Sequence, residues 1–312
     1  GKQVSLATHR LLAAAGEPRP GSGLELASND PDLPGYVLAQ DVAGHKSGDV
    51  ITPAMAARIR TKTEHVLVHS PISAGSSHGG VPRKAFGVRE RGDLPPIGDP
   101  IGMLAAQAVA ERISQTSLGS KHSGGKLGQR GVSGFELINN LVQAPKKFRH
   151  GATLSEVDGT VRTIEDAPQG GAYVTVGDER HYVSLESVLR HKVGDRVEAG
   201  EALNEGYSNP ADIVRLRGIG EGRRQLSDLL MSALRDSRIP AHRRNVEVLT
   251  RGLVNHVRIT DHGVPGYLPN DLAEYDTLEE GWEPRAGAEQ VSPRQALGRY
   301  LEQPSLWYSI GT

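Results

Sequence analysis

The chain has 312 residues, too many for one small domain and enough for roughly two domains or several small lobes. Hydrophobic residues make up 37%, which excludes wholesale disorder, and a formal net charge of −1 excludes a polycation that holds nucleic acid by bulk charge. Cysteine is absent, which excludes disulfides and thiolate zinc sites, and no run of about 18 apolar residues offers a membrane span.

In chain order, Gly1–Ser5 does not read as a signal peptide, and a cytoplasmic location is expected. Leu6 to Ala15 reads as a short helical patch, followed by a Pro/Gly-rich connector from Gly16 to Gly23. Gly35 to Val42 alternates β-formers and predicts a strand, with a turn at Gly44–Gly48. Thr52 before Pro53 is the cap-and-first-turn signature of a helix, which runs to about Arg60. Glu64 to His69 predicts a further strand, and residues 70–97 a Ser/Gly/Pro-rich loop. Ile101, Leu104, Ala105, Ala108 and Val109 recur at helical spacing and predict a long helix to about Lys121, stopped by Gly124-Gly125. A second helix is expected from Gly134 to Ala144, ended by Pro145. Short strands then alternate with turns at 153–156, 159–164, 173–176 and 181–184, and Lys192 to Leu203 closes a β-barrel-like lobe. Residues 223–236 and 241–256 predict helices, Val257–Thr260 a strand, and the acidic 271–290 a loop.

Chemistry concentrates in Gly98 to Gly125. On a helix, Gln115, Leu118 and His122 fall at i, i+3 and i+7 and share one stripe. That stripe offers an amide, an apolar bulge and an imidazole, an order suited to a nucleotide's sugar hydroxyls, base and phosphates. Periodicity alone fits equally a surface helix with one histidine near its end.

The same stretch resembles the trigger loop of the largest subunit, beta-prime, of multisubunit DNA-directed RNA polymerases. The resemblance is carried by Ile101-Gly-Met-Leu-Ala-Ala-Gln107, Glu111, Gln115 and the His-x-Gly-Gly at His122 to Gly125. It extends to Gly35–Val42, His69-Ser-Pro71, Ser155–Val161, Gly194–Gly200, Val246–Arg251 and Val257–Asp261, covering about residues 35–312 in family order. It implies an α+β fold of several small lobes (trigger-loop helices, a β-barrel-like sandwich lobe and a helical segment) that complete a multisubunit assembly. The divisions it implies are 1–34 connector, 35–97 β-lobe with a degenerate zinc element, 98–150 trigger-loop region, 151–208 β-barrel-like lobe, 209–292 helices with strand and acidic loop, and 293–312 the start of a C-terminal segment. It also implies roles: Gln115 on the ribose hydroxyls, Leu118 on the base, and His122 on the phosphates as the catalytic group.

Departures from the family pattern are specific. Gly119 stands where the family has Arg or Asn, which removes a phosphate contact and lowers helix propensity by ~1 kcal/mol against Ala. Arg112-Ile113 replaces a Pro-Gly break, and Thr116 and Lys121 replace apolar residues. The zinc-ligand string is replaced by Gly80-Val-Pro-Arg-Lys-Ala-Phe-Gly87, with Pro82 and Ala85 at ligand positions and Ala74 near another. His69 and His78 lack the companions a metal needs, so no zinc is expected in this chain. The family's metal-binding Asp triad is also missing from the sequence. Mg²⁺ is therefore expected on another chain, and this one is expected to be a C-terminal portion from a split gene or a truncated chain. The expected partners are an N-terminal beta-prime-like chain, a beta-like subunit, DNA template, RNA and NTP. The losses suggest a divergent, phage-encoded enzyme.

Residues 215–258 hold ten arginines, four acidic residues and no aromatic ring, which fits a nucleic-acid channel without base stacking or a solvated helix pair. Two other functions compete. One is a lipoyl- or biotinyl-type carrier, opposed by the absence of Lys from 165–180. The other is a catalytically silent nucleic-acid-binding or structural subunit, which differs only in whether the 115/118/122 stripe meets a nucleotide.

Overall fold

A computed structural model describes residues 6–19, 22–75, 79–120, 134–143, 151–185, 187–260, 264–281 and 286–287. The architecture is α+β, and the chain divides into two compact units, Gly1–Gly125 with Ile239–Thr312, and Lys126–Arg238.

In the first unit, the residue pattern Leu24, Leu26 / Val66, Val68 dictates a sheet with one apolar face. Strand β2 (Leu24–Ala27) pairs antiparallel with β4 (His65–His69), and β4 with β3 (Val37–Leu38). Their inward residues join Tyr36, Ile51, Ile59 and Ile72 in one core. Helix α1 (Pro53–Arg60) closes over it, started as expected by Thr52, whose hydroxyl accepts from the Met55 amide at 3.2 Å. The strand expected over 35–42 is only two residues long, because the chain turns back at Gly44 and Gly48, both at positive φ, so that Val37 also bridges Val50.

The helical patch expected over Leu6–Ala15 is helical only at residues 6–8. Ala13–Ala14 instead form β1, paired in parallel with β5 (Val81–Pro82), and the short helix α2 (Arg83–Phe86) follows. Helix α3 (Ile101–Ser120) packs on α7 (Arg243–Leu253). The strand β10 (His256–Arg258) pairs with β11 (Leu272–Glu274), and α8 (Tyr275–Glu280) follows directly. The stretch from 271 is thus not all loop: Ala273 and Asp276 are buried, and their burial organises it despite its acidity.

The second unit holds the expected β-lobe. Its sheet runs β8 (Glu179–Val183), β7 (Ala172–Val176), β6 (Gly159–Asp166), β9 (Arg196–Val197), all antiparallel. Gly177, at φ 58°, opens the two-residue β7–β8 turn, where a Cβ would be strained. Five valines (161, 174, 176, 183, 197) and Leu203 form the core. Helices α4 (Gly134–Gln143) and α5 (Pro210–Arg217) pack on α6 (Ile219–Asp236). Helix α5 was not anticipated, although Asn209-Pro210 is a start signal, and Asn209 Oδ1 caps the Ala211 amide at 3.1 Å.

Candidate functional site

Helix α3 begins where the sequence asks for it, after Gly98-Asp-Pro100, and its first turns are held by backbone. Gly98 N donates to Ala13 O (2.7 Å), Ala13 N to Asp99 O (2.9 Å) and Gly102 N to Leu11 O (3.0 Å). Ile101, Ala105, Ala106 and Val109 are buried, whereas Leu104 and Ala108 are exposed. Leu104 and Ala108 were expected on the packed face. The packed face is instead rotated toward Gly102 and Ala106, because the absent side chain at Gly102 allows the closest approach there.

This rotation bears on the stripe. Positions 104, 107, 111, 115 and 118 run along one side of an α-helix, and residues 104, 107 and 111 are exposed. Gly119 is accommodated within the helix. The side chains of 113–120 and all of 121–133, including His122, lie outside the described residues, as does His78.

Beneath α7 lies a polar cluster that hydrophobic patterning missed. Glu247, fully buried, accepts from Tyr36 Oη at 2.9 Å and Ser70 Oγ at 2.8 Å, both on Oε2. One turn on, Arg251, also fully buried, donates Nη1 to Pro71 O (2.8 Å) and Ala74 O (2.7 Å), and its Nη2 lies 3.2 Å from Asp276 Oδ1. Arg244 donates to Gly35 O and Val88 O and faces the rings of Tyr36 and Phe86. Arg243 pairs with Asp30 at 3.3 Å. Burial, reinforced by the Glu247 charge, pushes the Tyr36 phenol well above its ordinary pKa, and burial lowers that of Arg244. A usable signal existed: in Arg244-x-x-Glu247-x-x-x-Arg251, i, i+3 and i+7 spacing puts all three on the face that also carries Val248.

The arginine-rich stretch is divided between interior and surface: four of its ten arginines are buried, and Arg215, Arg217, Arg235, Arg238 and Arg258 are exposed. Arg223, Arg243, Arg244 and Arg251 are buried. Arg215 makes two bonds to Glu156 (2.6 and 2.9 Å), Arg217 donates to Ala199 O, and Arg224 pairs with Glu221 and Asp228. Glu156 is held below the usual carboxylate range by the Arg215 hydrogen bonds.

Where the zinc string was expected to have degenerated, Ala74, Val81 and Ala85 are buried and apolar, and the loop's carbonyls are held by Arg251. His69 is half-buried in β4, and burial lowers its pKa. Among the described residues no three His, Cys, Asp or Glu side chains gather as a metal site, and no helix is long and apolar enough to cross a membrane.

No family model matches the chain. Curated relatives do. It is 31% identical over 280 residues to the DNA-directed RNA polymerase subunit beta' of Caldicellulosiruptor saccharolyticus, which covers 85% of this chain and 23% of that protein. Similarity to the subunit beta' of Tropheryma whipplei is 30% over 259 residues, covering 79% and 20%, and to that of Acetivibrio thermocellus 28% over 240 residues, covering 75% and 20%. The chain thus spans about a fifth to a quarter of the length of these relatives. All three organisms are bacteria, and they lend no support to a phage source.

Proposed function

We propose, from the premise that the chain is related to a C-terminal portion of the beta-prime subunit of DNA-directed RNA polymerase, that it works as one polypeptide of a multisubunit transcribing enzyme. Its part is to close α3 over the incoming nucleotide during template-directed RNA synthesis. The observation that supports this reading is that α3 extends to Ser120 and exposes residues 104, 107 and 111, whose helical spacing positions 115 and 118 continue.

In this reading Gln115 hydrogen-bonds the ribose hydroxyls, Leu118 packs on the base, and His122 reaches the phosphates, stabilising charge or donating a proton there. Closure excludes water and aligns the 3′ hydroxyl with the α-phosphate. The chemistry of Mg²⁺ is assigned to the chain that carries the Asp triad, with a beta-like subunit, DNA, RNA and NTP completing the assembly. Location in the cytoplasm follows from that work.

The test is single-nucleotide addition by the assembled complex on an elongation scaffold. His122→Ala is expected to slow addition roughly ten- to a thousand-fold, the scale of one lost proton-donating or charge-stabilising contact. Gln115→Ala is expected to reduce discrimination between ribo- and deoxyribonucleotides. Wild-type rates for both His122→Ala and Leu118→Ala at saturating nucleotide would replace this reading with that of a silent subunit.

A further inference from the structure

Two glycines in the first unit occupy positions where a side chain has no room. Gly102 lies in the first turn of α3 and Gly252 at the end of α7. A Cβ on Gly102 would run into the Thr8 carbonyl oxygen and approach the Leu11 Cβ to 2.9 Å. A Cβ on Gly252 would lie 2.6 Å from Thr8 Cγ2 and 2.8 Å from Ala7 O. Neither glycine has the positive φ that would demand it on conformational grounds, so space alone requires it. Thr8 is fully buried, and residues 11–13 bond to 98–102 as described above. Residues 7–11 are thus wedged where α3 meets α7, touching both helices at a missing side chain.

We propose that Gly102 and Gly252 are positioning residues for nucleotide addition: by admitting residues 7–11 between α3 and α7 they set the root from which positions 115, 118 and 122 reach the nucleotide. This rests on the reading of α3 given under Proposed function. Neither glycine touches substrate. Their effect is one of leverage. Sixteen residues separate 102 from 118, about 24 Å of helix, so a tilt of about 5° at the root displaces the far end by about 2 Å. A misplacement of about 1 Å at a reacting centre costs on the order of a hundredfold in rate.

The experiment is a double-mutant cycle in the assembled complex, read by single-nucleotide addition over a range of nucleotide concentrations. Gly102→Ala is expected to lower the saturating rate roughly ten- to a hundredfold while the complex still assembles. Added to His122→Ala it should cost less than it does alone, because one of the groups it places is already gone. Gly252→Ala should also slow addition, and Thr8→Ser, which removes Cγ2, should restore part of that loss. Equal fold-losses from Gly102→Ala in both backgrounds would mean that the glycine serves only the folded fraction, and would overturn the proposal. So would a wild-type rate for Gly102→Ala. If Gly102→Ala fails to assemble, the Thr8→Ser/Gly252→Ala pair decides: partial rescue supports the proposal and no rescue overturns it. If His122→Ala and Leu118→Ala, each without the glycine substitution, both match the wild-type rate, the nucleotide-closing reading itself fails, and this inference falls with it.

Discussion

The interior beneath α7 and the interior of the β6–β9 lobe solve the same problem with different residues. Under α7, Tyr36, Ser70, Glu247 and Arg251 are buried and joined by directed bonds to one another or to backbone carbonyls. In the lobe the buried cluster is five valines and a leucine, and the main charge pair, Glu156–Arg215, sits near the surface with about half of each side chain exposed. A dry core tolerates rearrangement, since apolar contacts have no fixed direction. A connected polar core does not, because each group removed leaves a desolvated partner behind. The first unit is therefore specified by geometry and the lobe by volume and pattern.

The largest test of that contrast is Arg251→Ala. It strips the Pro71 and Ala74 carbonyls of their donor and Asp276 of an ion pair at 3.2 Å. It should destabilise the first unit by about 3–5 kcal/mol. Native-state hydrogen exchange would show this as faster exchange in β2–β4, with the lobe unchanged; a loss below about 1 kcal/mol would break the comparison. Tyr36→Phe comes next. It takes one donor from Glu247 while keeping the ring, and about 1–3 kcal/mol is expected from the same measurement.

The smallest effect belongs to the lobe. Glu156→Gln should cost at most about 1 kcal/mol, since the pair is half-exposed and screened. Its sign with pH is fixed. The folded carboxylate is held below its ordinary value of about 4.3, so the pair stabilises fully above that pH. The contribution fades as pH falls through the lowered folded value. Acid titration of lobe unfolding should therefore show a shallower loss in Glu156→Gln than in the natural chain. Identical acid limbs would show that the pair contributes nothing.

Legibility in the sequence follows the same division. The strands around Val161, Val174, Val176 and Val183 were readable because alternation states which face is buried. Thr52-Pro53 gave the start of α1 because capping is local chemistry. The length of α3 was readable, but its packed face was not: Leu104 counts as apolar in any periodicity, and only the approach of Thr8 to Gly102 decides the rotation. Strand β2 was missed because its partner, β4, lies some forty residues on. The burial of Glu247 and Arg251 was not legible because their partners come from the distant positions 36, 70, 71, 74 and 276. Of the candidate region, the helix that runs through positions 115 and 118 was legible. The polar cluster supporting that helix through α7 was not.

The bond from Ser70 to Glu247 spans 177 residues, and this has a bearing on how the protein is made. At about 5–20 residues per second, the ribosome delivers Glu247 roughly 10–35 s after Ser70. For that interval the sheet of β2, β3 and β4 has been synthesised while the carboxylate and guanidinium that complete its polar side have not. The nascent first unit must therefore wait, part-built, while the whole of the second unit emerges between its two halves. Helix α7 is the piece whose arrival supplies that missing polar side.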